Sequence, residues 1–190
     1  MSGSSTPTII IAICILGGLL FIFPLITLTE RVDNVTQENV RLIVEEFTTD
    51  VANTGKLTQT KYQNFEDKLA ATGNTYDIEL ELYELDENPG KKTAQTNYSK
   101  IGENVYVTSY TTQILPQIGI KTGSEFVDSA KKNLYLEQGD IFAVKVKNAN
   151  STSNQVIKSN FLNFSNSGEE TIKASSSKMC TVNGSINDNN

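Results

Sequence analysis

The chain has 190 residues, and its 22 acidic and 16 basic side chains give a formal net charge of -6. This balance, without a clustered basic patch, disfavours nucleic acid as a partner, because phosphates would be repelled. With two cysteines and no histidine, the chain lacks a disulfide framework, the commonest general base and the usual zinc ligand.

An apolar run without a single charged residue occupies positions 9–28, directly after a polar leader at 1–8. About twenty apolar residues match the thickness of a bilayer core, so the run predicts a single membrane-spanning helix. The proposed anchor positions are Ile9, Ile13, Leu16, Leu20, Phe23 and Leu28. A retained anchor is favoured over a cleaved signal peptide, because no basic residue precedes the run and the run is long. Pro24 is predicted to kink the helix.

The span is followed by an amphipathic stretch at 29–52, in which neither Gly nor Pro interrupts the helix. Its apolar residues recur mostly three, four and seven apart, the pattern of a helix with one apolar face: Val32, Val35, Leu42, Ile43, Phe47 and Val51. The sequence therefore predicts one continuous helix whose apolar face packs against the equivalent helix of other copies of the chain or of other subunits.

The solvent exposure of the four apolar residues farthest from the span separates two hypotheses, packing between subunits and a monomeric protein. If Leu42, Ile43, Phe47 and Val51 face solvent in the single chain, packing between subunits is favoured, whereas burial of all four favours a monomer. On the first hypothesis, Leu42→Asp and Phe47→Asp are expected to abolish assembly and to leave the head folded.

Residues 53–182 are predicted to form a globular α+β head, with 183–190 as a frayed tail. A short second helix begins at an N-cap, Thr58, and ends near Gly73, with Tyr62, Phe65 and Leu69 on its apolar face. Strands are predicted at YDIELELYEL, at ENVYVTSYTTQIL up to Pro116, at GDIFAVKVKNAN and at ETIKASSSKMCTV, and an additional helix at 153–164. The fold class is therefore a helix layer against an antiparallel sheet of about four strands.

The first strand carries an outward row of carboxylates, Asp77, Glu79 and Glu81. A calcium site is the less favoured interpretation, because calcium loops use carbonyl groups and a sharp turn rather than a flat strand. Solvated charge that keeps the sheet from sticking to other chains is favoured. Without histidine or a Gly-rich phosphate loop, we expect no enzymatic activity, no cofactor, no metal and no small-molecule substrate.

One segment carries a resemblance to a known family. VANTGKLTQTKYQNFEDKLAATGNTYDIELELYE, with the later GDIFAVKVKNAN and KASSSKMCTVNG, resembles TadE-like, type IV pilin-like proteins of Tad-type pilus or secretion machinery. The resemblance covers roughly residues 9–184 and rests mainly on ATGNTYD. It implies a minor pilin or pseudopilin-like component of a bacterial envelope apparatus, anchored in the cytoplasmic membrane.

Two features of the N-terminus depart from a typical type IV prepilin. No basic leader is present, and the first glutamate is Glu30, so neither leader cleavage nor an assembly glutamate within the span is carried over. The resemblance places residues 29–190 outside the cytoplasm, whereas Arg31 and Arg41 after the span favour the inside. The alternative function is a membrane-anchored extracytoplasmic binding module that acts as a monomer.

Overall fold

Residues 5–86, 105–121, 133–150 and 172–184 are described in a computed structural model. Their elements are α1 (Ser5–Thr54), β1 (Lys56–Thr58), α2 (Gln59–Ala70), β2 (Tyr76–Asp86), β3 (Val105–Tyr110), α3 (Thr111–Gln117), β4 (Asn133–Tyr135), β5 (Ile141–Asn148) and β6 (Lys173–Met179). The predicted α+β class, with a long N-terminal helix and an antiparallel sheet, is confirmed.

Helix α1 contains 50 residues, which corresponds to about 75 Å at 1.5 Å per residue. It starts within the polar leader and stays continuous through Pro24, so a kink there stays a prediction. Past the proline, the Thr27 hydroxyl donates to the carbonyl of Phe23 at 2.9 Å. The helix ends at Thr54, two residues beyond the stretch predicted at 29–52 and directly before Gly55. The φ of Gly55 is 61°, which is unfavourable for residues with a side chain.

The main sheet has the order β3-β2-β5-β6, with every neighbouring pair antiparallel. Alternation in β2 and β5 puts one set of side chains on the inner face, where Leu80 lies opposite Val144 and Leu82 opposite Phe142. All four are buried. These inner faces agree with the prediction, and β6 confirms the last predicted strand over a shorter range.

Both long helices cover the inner face of the sheet. From α1 come Val40, Val44, Phe47 and Val51, and from α2 come Tyr62, Phe65 and Leu69, all of them buried. Thr58 caps α2 as predicted, because its side chain accepts a hydrogen bond from the Lys61 amide at 3.1 Å. The core of the head is therefore a helix layer packed on one side of a four-stranded sheet.

The strand predicted to run to Pro116 ends instead at Tyr110. Thr111 turns the chain, since its hydroxyl accepts from the Leu80 amide at 2.7 Å and donates to the Leu80 carbonyl at 3.2 Å. The following residues form α3, which buries Ile114 and Leu115. Pro116 lies inside this helix, one residue before its end.

A second, two-stranded sheet joins β1 to β4 and was not predicted. The C-terminal segment closes on it: the Gly184 amide donates to the Leu136 carbonyl at 2.7 Å, and the Gln138 amide donates to the Asn183 side chain at 2.6 Å. The prediction of a frayed tail that begins at Asn183 is therefore wrong, because hydrogen bonds hold both Asn183 and Gly184. The predicted helix at 153–164 lies outside the described residues.

Candidate membrane anchor and assembly surface

The apolar run lies on the part of α1 that projects from the head. Its anchor positions are all exposed: Ile9, Ile13, Leu16, Leu20, Phe23 and Leu28. The most apolar window of the helix has a mean hydropathy of 3.0 and is 0% buried. An unpartnered apolar helix of this length has the dimensions of a bilayer span and is compatible with a single-pass anchor or a signal sequence.

The six residues predicted for helix packing divide into two groups. Val32, Val35 and Leu42 are 54%, 65% and 55% exposed, whereas Phe47 and Val51 are buried in the head and Ile43 lies half-buried at the edge of the core. The four residues that were to separate the two hypotheses are thus neither all exposed nor all buried. The face left open outside the span consists of Val32, Val35 and Leu42.

Phe47 belongs to an aromatic cluster inside the head. Its ring stacks on Phe65 with centroids 4.2 Å apart and meets Phe142 edge-on at 5.9 Å. Assigning Phe47 and Val51 to a surface between subunits is therefore corrected, because the sheet and α2 of the same chain cover them. An aspartate at Phe47 is now expected to disrupt the head as well as any assembly.

The head is joined to α1 through Gln37, a residue that the sequence analysis missed. Its side-chain amide donates to the Lys173 carbonyl at 2.5 Å, and its oxygen accepts from the Lys173 amide at 3.0 Å. The side chain thus pairs with the start of β6 as a neighbouring strand would. A partner 136 positions away along the chain leaves no local signal that could have revealed this contact.

Helices α1 and α2 are joined further up by two ion pairs. Lys68 lies 2.9 Å from Glu46, and Lys61 lies 2.8 Å from Asp50. Between these pairs is a groove of about 140 Å³ whose floor includes Phe47. Ligand pockets usually enclose about 300–1,000 Å³, so this groove is a narrow gap between two packed helices and is too small for a typical ligand.

The outer face of the sheet carries charges of both signs. Asp77 and Glu79 lie opposite Lys147 and Lys145 across the strand pair. Glu81 binds Lys145 at 2.6 Å and accepts from the Tyr83 hydroxyl at 2.8 Å. The hydrogen bond from Lys145, helped by the one from Tyr83, holds the pKa of Glu81 below its ordinary value, and Glu81 raises the pKa of Lys145.

These pairings bear on the calcium interpretation of the acidic row. Two lysines lie across the strand pair from the three carboxylates, and one of them forms an ion pair with Glu81. Within the four described ranges no group of three metal-ligating side chains comes together. A shallow depression of about 500 Å³ lies on the same face, lined by acidic and basic residues. The arrangement is a mixed-charge surface suited to contact with a polar partner.

Desolvation raises the pKa of two neighbouring groups on α2. Desolvation, and then the Glu66 carboxylate, raises the pKa of Tyr62 far above its ordinary value. Desolvation also raises the pKa of Glu66. Both shifts favour protonated, uncharged forms, which suit a phenol that is part of the core.

Comparison with known proteins gives no family assignment: no protein-family model, no curated protein and no solved structure matches the chain. The exposed apolar run and the exposed face of α1 are the features from which function can be argued.

Proposed function

We propose that this protein is a non-enzymatic, pilin-like structural or assembly component of a bacterial pilus or secretion-type envelope apparatus. Residues 9–28 anchor it in the cytoplasmic membrane as a single span, and residues 29–190 lie on the extracytoplasmic side. Other copies of the chain, or pilin-like subunits, pack against the exposed face of α1. The observation that carries the proposal is this face, formed by Val32, Val35 and Leu42, which the described part of the head leaves exposed.

The exposure of three apolar side chains of α1, and their alignment on one face of the helix, support assembly over simple anchoring. A helix that only raises a head above the membrane would be expected to carry a polar surface between them. Here Val32, Val35 and Leu42 remain exposed although the same helix buries Val40 and Val44 in its own head. Exposed apolar side chains aligned along one helix face are typical of a surface that another helix covers.

The assembly test compares two aspartate variants of the full chain in native membrane vesicles. Leu42→Asp places a charge on the exposed apolar face, whereas Asn34→Asp places one on an exposed polar position of the same helix. We expect the wild type and Asn34→Asp to give complexes and Leu42→Asp to give monomers, as counted by native mass spectrometry. Wild-type protein that is monomeric at its natural abundance would contradict the proposal.

Topology is tested with a membrane-impermeant thiol reagent. Ser177 is exposed on the outer sheet face, so a Ser177→Cys, Cys14→Ala variant offers one accessible thiol beside the buried Cys180. Labelling of intact cells is expected. Labelling that needs permeabilised cells would place the head in the cytoplasm, as the two arginines after the span suggest.

A second candidate function is a monomeric, membrane-anchored extracytoplasmic binding module. It is favoured by the burial of Phe47 and Val51 in the head and by the mixed-charge depression on the outer sheet face. In this case Leu42→Asp leaves function intact, whereas Lys145→Glu on the sheet abolishes binding of a polar partner.

A further inference from the structure

The exposed apolar residues of α1 outside the span follow a stricter pattern than a general apolar face. Between positions 28 and 42, every exposed large apolar side chain belongs to one set, Leu28, Val32, Val35 and Leu42. With Asn39, which is also exposed, the set recurs at alternating spacings of four and three. This is the a/d pattern of a coiled coil, with Leu28, Val35 and Leu42 at d and Val32 and Asn39 at a.

The same register continues into the span. Counting back from Leu28 in steps of three and four reaches Leu25, Phe21, Gly18 and Cys14. Almost every residue of the span is apolar, so the selective part of the pattern is the portion in water. The span continues the same register for about two further heptads, so the apolar surface in the bilayer and the one in water can form one uninterrupted seam.

We infer that the seam is occupied by a second copy of this chain, in a parallel two-stranded coil that brings Asn39 of each copy against Asn39 of the other. This inference rests on the proposed function and specifies its partner and register. A valine at one a position and leucines at two of the d positions favour two strands.

The bilayer supplies the reason for a second copy. Two copies inserted in the same membrane in the same orientation hold equal-numbered residues at equal heights, so their seams align without further adjustment. An asparagine amide both donates and accepts hydrogen bonds, so Asn39 satisfies an identical residue facing it. A single polar a position of this kind fixes register and oligomeric state at some cost in stability.

The described part of the head leaves room for such a partner. Successive residues turn the helix by about 100°, so the seam lies well over 90° around the axis from the buried face that contains Val40 and Val44. The next a position, Glu46, is bound by Lys68 of α2 at 2.9 Å. The coil therefore runs from the membrane up to Leu42 and stops where α2 begins to cover the helix.

Two heptads in water are too short to hold two soluble chains together. Confinement in one bilayer raises the effective concentration of the second helix. This higher concentration compensates for part of the binding free energy that a longer coil would supply. Within the span, Gly18 has no atom within 4 Å of where a Cβ would lie, so two backbones can approach there.

Disulfide trapping in proteoliposomes tests the seam with the full chain in a Cys14→Ala background. Val35→Cys puts a thiol at a d position, and Asn34→Cys puts one at an exposed position of the same helix, away from the seam. Cys180 is buried and common to both variants. With an oxidant, we expect Val35→Cys to form covalent dimers at least tenfold faster than Asn34→Cys, and equal rates would overturn the inference.

The role of Asn39 is tested by adding Asn39→Asp to the Val35→Cys variant, with Asn34→Asp as the matched control. Two aspartates facing each other at neutral pH repel, so trapping is expected to slow at least tenfold, and the control is expected to trap at the original rate. An unchanged rate in Asn39→Asp would show that these residues do not face each other and would overturn the proposed register.

Failure of the coil and failure of the proposed function give different results. Native complexes of several copies without Val35 to Val35 trapping would overturn the coil and leave assembly standing. Covalent trapping of Val35→Cys to a different protein in cells, with no homodimer, would assign the seam to another subunit and overturn the second-copy inference. Wild-type chains that are monomeric in membranes would overturn both.

Discussion

Truncating Phe47 to alanine separates the two parts of the predicted stripe. The side chain is 7% exposed, stacked on Phe65 at 4.2 Å and in edge contact with Phe142 at 5.9 Å. Buried Phe→Ala changes cost about 3–5 kcal/mol, because transfer free energy is lost and a cavity remains. Leu42→Ala removes an exposed side chain, so its expected effect on head stability is within about 0.5 kcal/mol.

The assay is urea unfolding of the full chain in a nonionic detergent, followed by near-ultraviolet circular dichroism of the tyrosines. With a slope of about 2 kcal/mol per molar urea, Phe47→Ala is expected to lower the unfolding midpoint by about 1.5–2.5 M. Leu42→Ala is expected to shift it by no more than about 0.3 M. Equal shifts for the two variants would refute the division of the stripe into a core part and an exposed part.

Three further outcomes follow from local geometry. Gly55→Ala should cost well over about 2 kcal/mol in unfolding free energy, because its φ is 61° and a Cβ would lie 2.7 Å from the Gly184 nitrogen. Gly73→Ala, with φ of 83° and open space around it, should cost only about 1–2 kcal/mol, and a similar loss at both sites would contradict the steric argument. Thr58→Ala should cost about 1 kcal/mol in the same assay and Thr58→Asn close to nothing, because only the former loses the capping oxygen. The hydrogen bond from Lys145 lowers the pKa of Glu81 below the value of 4.5 that this carboxyl group has in the unfolded chain, so its charged form stabilises the head at neutral pH. The difference in melting temperature between wild type and Glu81→Gln should therefore shrink as the pH falls from 7 through the folded-state pKa of Glu81. A constant difference would argue against the pairing.

Elements with a long, regular pattern could be predicted from the sequence. The β2 and β5 strands alternate over enough residues to fix their inner faces, and α1 has neither Gly nor Pro between the span and the head. The cap at Thr58 is equally local, since a hydroxyl before an apolar-periodic run satisfies an amide three residues later.

What the sequence could not show depends on distant partners or short segments. Strands β1 and β4 have three residues each, too few for any period, and they form by pairing with each other. Helix α3 has seven residues and begins where Thr111 binds the backbone of Leu80. Leu42 and Phe47 are five residues apart and lie about 140° apart around the helix axis. The sequence does not show which of the two faces the head covers, because the aromatic rings that bury Phe47 come from α2 and β5, which lie far along the chain.

Because α1 is continuous, the number of residues between the apolar run and the head sets the position of the head along and around the helix axis. Eight residues separate Leu28 from Gln37, so this attachment to the head lies about 12–14 Å along the helix from the end of the apolar run. Inserting one residue there would raise the head by about 1.5 Å and swing it by about 100° around the helix axis. The distance of the head from the apolar run and its rotation about the helix axis therefore change together, and a one-residue change in this interval would redirect the whole sheet face.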